Sequence, residues 1–168
     1  MQTITAAEVP EECALRGMLE GAHFSDAYRA PLTGASLTPV EIFLRSLETT
    51  PAWVTRAMAL RNAIVRQIGL KDVGPMMTLT DKSATDYQVG DRLGIFTIFG
   101  STPDELLLGI DDSHLDVRVS VLKQGGARPS YVISTVVKVH NWLGRAYMLP
   151  VGRIHPLVVK ALMRRAAV

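Results

Sequence analysis

Three places in the chain carry side chains able to do chemistry. His114-x-Asp116 lies in one apolar run, and His140 and His155 follow it. Imidazole and carboxylate ligate zinc or iron when three or four of them converge and outer hydrogen bonds orient them. Placed beside a pocket, the same two groups form an acid–base couple. Residues two apart share one face of a strand, so His114 and Asp116 point the same way. That face also holds Arg118 and Ser120 and stands opposite Leu115, Val117, Val119 and Val121. It therefore looks at solvent or a neighbouring element, and Asp116 with Arg118 reads first as a solvated or cross-strand ion pair. We expect no metal and assign no catalytic residue, because the chain lacks a Gly-x-Ser-x-Gly elbow, a P-loop and a His-Glu-x-x-His helix.

The second place is the run His23-Phe-Ser-Asp-Ala-Tyr28, where Phe24, Asp26 and Tyr28 share a face. If the aromatic rings point inward, the Asp26 carboxylate goes with them. The third is Arg61. At about 100° per residue, Trp53, Val54, Ala57, Met58, Leu60, Ile64, Val65 and Ile68 form one broad apolar stripe. Arg56, Asn62, Ala63 and Arg66 lie opposite, while Arg61 falls near the centre of the stripe. A buried guanidinium needs a carboxylate, several carbonyls or an anionic ligand group. Asp26 and Asp116 are candidate partners for a structural pair, and snorkelling at the helix edge is a further alternative. Tyr147 and Tyr28 read as rim aromatics whose hydroxyls reach water.

The elements that must hold these residues follow from pattern and punctuation. Residues 1–19 are a poorly patterned leader, and residues 22–30 alternate as a strand. Thr38-Pro39-Val40-Glu41 is a capping box with proline at the first helical position, and Thr50-Pro51 repeats the signal. These open two helices joined at a tight corner, the second reaching about Ile68 with Gly69 as its stop. Residues 76–80 suggest a short strand. Residues 93–99, 105–110, 114–122 and 131–140 are strands joined by short connections, an antiparallel meander centred on the stretch 106–147. Asn141 caps a helical turn or two over residues 142–149. A final amphipathic helix starts at Arg153 or Pro156, and its inward residues include Ile154, Leu157, Val158, Ala161, Leu162 and Met163.

Composition sets the class. A chain of 168 residues, with 48% hydrophobic and 20% charged residues, reads as one globular domain spanning 1–168. The single cysteine, Cys13, excludes an internal disulfide, and no signal peptide or apolar run long enough to span a membrane is present. A net charge of +2 with scattered basic residues does not point to nucleic acid. The expectation is a cytoplasmic protein.

The order strand, two helices, meander, long helix gives an α+β fold in which a curved antiparallel sheet grips the C-terminal helix. A cystatin-like cone is the rival, but it places its main helix early. The segments Asp26-Ala27-Tyr28, Pro51-Ala52-Trp53-Val54, Leu60-Arg61-Asn62, Asp112-Ser113-His114-Leu115-Asp116-Val117-Arg118, His140-Asn141-Trp142-Leu143-Gly144-Arg145-Ala146-Tyr147 and Ile154-His155-Pro156 carry a resemblance. In that order the chain resembles the helix-grip fold of the START-like, or Bet v 1-like, superfamily. More narrowly, it is similar to an uncharacterised bacterial family of unknown function placed there. The resemblance implies an internal cavity for lipids, sterols, polyketides or other apolar molecules, and some members of the superfamily are cyclases or hydrolases. It supplies no catalytic residue and no cofactor. In some related proteins a similar region is attached to a nucleotide-binding oxidoreductase domain, but no Gly-x-Gly-x-x-Gly follows a strand here.

The leading expectation is a module that binds a small hydrophobic or amphipathic molecule, with Arg61, Asp26, Tyr28, His114, Asp116, His140 and Tyr147 as candidate binding residues. The alternatives are a cyclase- or hydrolase-like enzyme using His114 or His140 with Asp116, and an interaction domain with a filled core. The identity of the ligand and the oligomeric state are not legible.

Overall fold

The computed structural model describes residues 3–33, 36–67 and 82–166. Helix α1 (Pro39–Glu48) starts on the expected capping box: the Glu41 amide donates to the Thr38 hydroxyl at 3.2 Å, and the Glu41 carboxylate accepts from the Thr38 amide at 2.6 Å. The Glu41 carboxylate also accepts from the Thr38 hydroxyl at 2.8 Å, and the two bonds it accepts, the backbone one first, hold its carboxyl below the usual range. Helix α2 (Ala52–Gln67) follows at once. Its first turn hangs on the Pro51 carbonyl, which accepts from the Val54 and Thr55 amides. The Thr50 hydroxyl, expected to cap it, donates back to Leu47 O and finishes α1 instead. The expected stop at Gly69 and the strand at 76–80 lie outside the described residues.

Among the described residues the sheet has seven antiparallel strands: β1 (Thr5–Ala6), β2 (Phe24–Pro31), β3 (Arg92–Leu93), β4 (Phe96–Ser101), β5 (Glu105–Asp111), β6 (Leu115–Gln124) and β7 (Ser130–Val139). Their order is β1-β2-β7-β6-β5-β4-β3, so the meander closes on β2, and Asp26 sits opposite Thr135. The run read as one strand over 93–99 is broken at Gly94, whose φ of 62° turns the chain between β3 and β4.

Helix α3 (Trp142–Arg165) is the largest correction. The short turn over 142–149 and the separate last helix are a single helix, with Pro150 and Pro156 inside it. Each proline removes one i→i−4 bond. The helix continues because its inner residues, Val159 and Met163 among them, are buried against α1 and the sheet, and tertiary burial outweighs local propensity.

Alternation gives the sheet two apolar faces. Tyr28, Val119, Val121, Tyr131 and Ile133 face inward with α1 and α3. The outer face is covered by the segment read as an unpatterned leader: Val9, Cys13 and Leu15 pack on Ala27, Leu122, Val132 and Val136. Glu105 anchors that cover, accepting from the Ala14 amide at 3.0 Å and the Ser120 hydroxyl at 2.6 Å. Burial there pushes the Cys13 thiol above its ordinary range.

Candidate functional site

The inner face of the sheet does not close on the helices completely. Between them lies a cavity of about 280 Å³. The sheet contributes Leu115, Val117, Val119, Ile133 and Val137, α1 gives Phe43 and Leu47, and α3 gives Val151, Val158 and Leu162. Ser46, Arg61, Asp112, Thr135, Tyr147 and His155 are the polar lining residues. The Ser46 hydroxyl is spent on Ile42 O at 2.9 Å.

Arg61 reaches this cavity because α2 turns a narrower face inward than the wheel suggested. Val54, Asn62 and Val65 are its buried residues, and Ala57, Met58 and Arg61 line the cavity. Asn62, placed on the solvent side by the pattern, is buried, whereas Trp53, Leu60 and Ile64 are exposed. The helix has more apolar residues than its neighbours cover, so hydrophobicity alone misplaced the centre of its buried face. The Arg61 Nε donates to the Tyr147 hydroxyl at 3.0 Å, and its Nη1 donates to Asn62 Oδ1 at 2.9 Å. The guanidinium also lies 5.5 Å from the Tyr147 ring centroid.

Neither aspartate proposed as its partner pairs with Arg61. Asp26 does point inward, and its Oδ2 lies 2.9 Å from His155 Nδ1 on α3. Its Oδ1 is buried with no hydrogen-bond partner among the described residues. With the carboxylate accepting from Nδ1–H, a neutral ring keeps its lone pair on Nε2. The His155 ring packs edge-on against Phe24, with centroids 5.5 Å apart. Tyr28, one pleat further along β2, is in the inner core, with Lys160 Nζ 5.0 Å from its ring centroid. Burial and then the Asp26 charge push its hydroxyl above the ordinary range.

The remaining candidates gather elsewhere. Asp116 and His140 pair at 3.0 Å through Oδ2 and Nε2, and neither lines the cavity. His114 lies 2.8 Å from the Asn141 side chain through Nδ1, and its carbonyl accepts from the His140 amide. Asn141 caps α3 by accepting from the Gly144 amide at 3.1 Å. A side chain at Gly144 would put its Cβ 2.4 Å from the His114 carbonyl oxygen, so glycine here lets α3 start against the β5–β6 turn. These three residues fix the base of the helix that carries Tyr147 and His155. Among the described residues, no group of three or more His, Cys, Asp or Glu side chains converges to hold a metal ion.

His155 carries a second signal in the sequence besides its residue type. Val151, His155, Val158 and Leu162 recur at helical spacing, which makes His155 a polar residue in an apolar stripe, as Arg61 is in its own. Starting the helix at Arg153 or Pro156 hid that stripe.

The family model described as "Protein of unknown function (DUF2867)" matches residues 18–162. No curated protein and no solved structure matches the chain.

Proposed function

We propose, from the premise that this chain belongs to the DUF2867 family, that it is a helix-grip, START-like domain that binds a small amphipathic molecule between sheet and α3. The observation that carries this reading is the cavity of about 280 Å³ with an almost wholly aliphatic and aromatic wall. Small-molecule sites run from roughly 300 to 1,000 Å³ and combine apolar walls with a few polar groups that orient the ligand. A volume at the lower end favours a compact apolar body, with an acidic or other hydrogen-bond-accepting group met by Arg61 and Tyr147.

The test is native mass spectrometry of freshly purified protein, compared with its denatured mass, together with displacement of a fluorescent fatty-acid probe. We expect Arg61→Ala to weaken probe retention about tenfold, the loss of one charge-assisted hydrogen bond of roughly 1.5 kcal/mol, with folding retained. If the wild-type protein carries no ligand and takes up no probe, the cavity is not a binding site.

A second reading rests on Asp26 and His155. An imidazole oriented by a carboxylate in a residue that lines a cavity is placed to act as a general base, which fits a hydrolase or cyclase. It requires that His155→Ala abolish turnover of a cavity-sized ester while probe binding persists. Unchanged turnover in that variant dismisses it.

A further inference from the structure

Both tryptophans of the chain, Trp53 and Trp142, lie on helices that wall the cavity, α2 and α3. With Leu60 and Ile64 on α2 and Leu149 and Leu157 on α3, they are between 45% and 77% exposed. At about 100° per residue, the three residues of each helix fall in one stripe. Single exposed apolar side chains are ordinary on a protein surface, but large ones repeated along one side of each of two helices mark an interaction face.

Charge on the same helices is one-sided. Helix α2 carries Arg56, Arg61 and Arg66, α3 carries Arg145, Arg153, Lys160, Arg164 and Arg165, and neither contains Asp or Glu. The two helices therefore hold +8 of formal charge, while the rest of the chain, with all 16 carboxylates, holds −6 against the total of +2. Arg56, Arg66, Arg145 and Arg153 are exposed, and by helical spacing Arg153 falls inside the α3 stripe.

The α2 stripe borders the cavity, and the α3 stripe lies on the outer side of its helix, reached from the cavity across Ile154. Ala57 lines the cavity and lies between the Trp53 stripe and Arg61, and Ile154 lines it while half-exposed. Helix α2 leaves α1, which packs on the C-terminal half of α3, and meets Tyr147 in the N-terminal half. The two helices thus run in opposite senses beside the cavity.

We propose that α2 and α3 form a docking face for the surface of an anionic lipid bilayer. Tryptophan and leucine settle at headgroup depth, and the interleaved arginines meet lipid phosphates, the composition of an interfacial helix. Tryptophan and arginine are enriched in protein interfaces too, so the assignment to a bilayer rests on charge: neither helix has a carboxylate, and lipid phosphates offer anions beneath both stripes. Among the described residues no helix is long and apolar enough to cross a membrane, so the contact is peripheral. This inference goes beyond the ligand-binding reading, and either can fail alone.

The full chain is mixed with vesicles of phosphatidylcholine, or of phosphatidylcholine and phosphatidylglycerol in equal parts, and followed by flotation and tryptophan emission. Flotation and a blue shift are expected with the anionic vesicles only. Arg145→Glu should weaken vesicle affinity at least fivefold, since each basic side chain contributes about that factor near an anionic surface. The double change Leu149→Ser with Leu157→Ser should remove the blue shift. Far-UV circular dichroism and uptake of the fatty-acid probe without vesicles should stay as in wild type, because these residues do not line the cavity. Absence of flotation with anionic vesicles at low salt overturns the proposal. So does equal binding to pure phosphatidylcholine that Arg145→Glu leaves unchanged. A blue shift produced by raising the protein concentration alone would assign the face to a second copy of the chain and overturn it as well.

Discussion

Among the described residues, two aspartate–histidine pairs have nearly the same length, Asp26–His155 at 2.9 Å and Asp116–His140 at 3.0 Å. They differ in what surrounds them. The side chains of the first are 12% and 24% exposed, and those of the second 33% and 43%. At the outer pair, water and salt screen the attraction, and ordering two side chains offsets much of what remains. At the inner pair both groups are mostly withdrawn from water, so each depends more on the other for its hydrogen bond, and Asp26 Oδ1 already lacks one among the described residues. Surroundings, rather than distance, decide which pair the protein needs.

Asp26→Ala should therefore have the largest effect, costing about 3 kcal/mol of stability, the lower end for breaking a buried pair. Asp116→Ala is its control. Urea unfolding of both variants measures the contrast, and equal losses would break it.

Gly144→Ala tests whether the inner pair depends on where α3 begins. The new methyl would overlap the His114 carbonyl oxygen at 2.4 Å and Val139 Cγ1 at 2.8 Å. We expect a loss of about 2 kcal/mol, within the usual range for overpacking. Stability close to wild type would mean that the start of α3 shifts freely and does not position His155.

The order of helices and strands was legible because its signals are local: the capping box at Thr38–Glu41, the alternation of residues 115–121 and 131–139, and short turns between them. The inward direction of Asp26 was legible too, since period-two alternation carries it along with Phe24 and Tyr28. Its partner was not, because His155 is 129 residues away in sequence, and the prolines on either side of it suggested a helix boundary. Compact spacing instead drew attention to His114, Asp116 and His140, which the fold brings to the end of the sheet beside the start of α3. Arg61 stood out for a physical reason that survives in the structure: a charge in an apolar stripe needs partners, and Tyr147 is one of them. The wheel misplaced Asn62 because it weighs apolar residues equally, whether or not a neighbour covers them.

A finer test uses Tyr28, whose proton reports on the charge of Asp26. Burial first and the Asp26 carboxylate second hold the hydroxyl above its ordinary value of 10.0. The folded state binds this proton more tightly than the unfolded chain, so the stability it contributes is whole below about pH 10 and lost as the pH rises through the folded value. Asp26→Asn should bring the titration part of the way back, leaving the portion due to burial, and Asp116→Asn should not move it. NMR titration of ring-labelled tyrosine reads both. A Tyr28 titration unmoved by Asp26→Asn would show that the aspartate charge does not reach the inner core.

The smallest effect is expected at the outer pair itself. Asp116→Ala and His140→Ala should each change stability by less than about 1 kcal/mol, because each partner can turn to water when the other is removed. A residual attraction requires the charged form of His140 and should fade as ionic strength shortens the reach of the field. The double variant then separates attraction from packing: losses that add mean the two residues act independently, and a coupling that vanishes in high salt means an ion pair. A coupling near that of Asp26 with His155, insensitive to salt, would mean the outer pair is shielded from water, and the contrast drawn from exposure would fail.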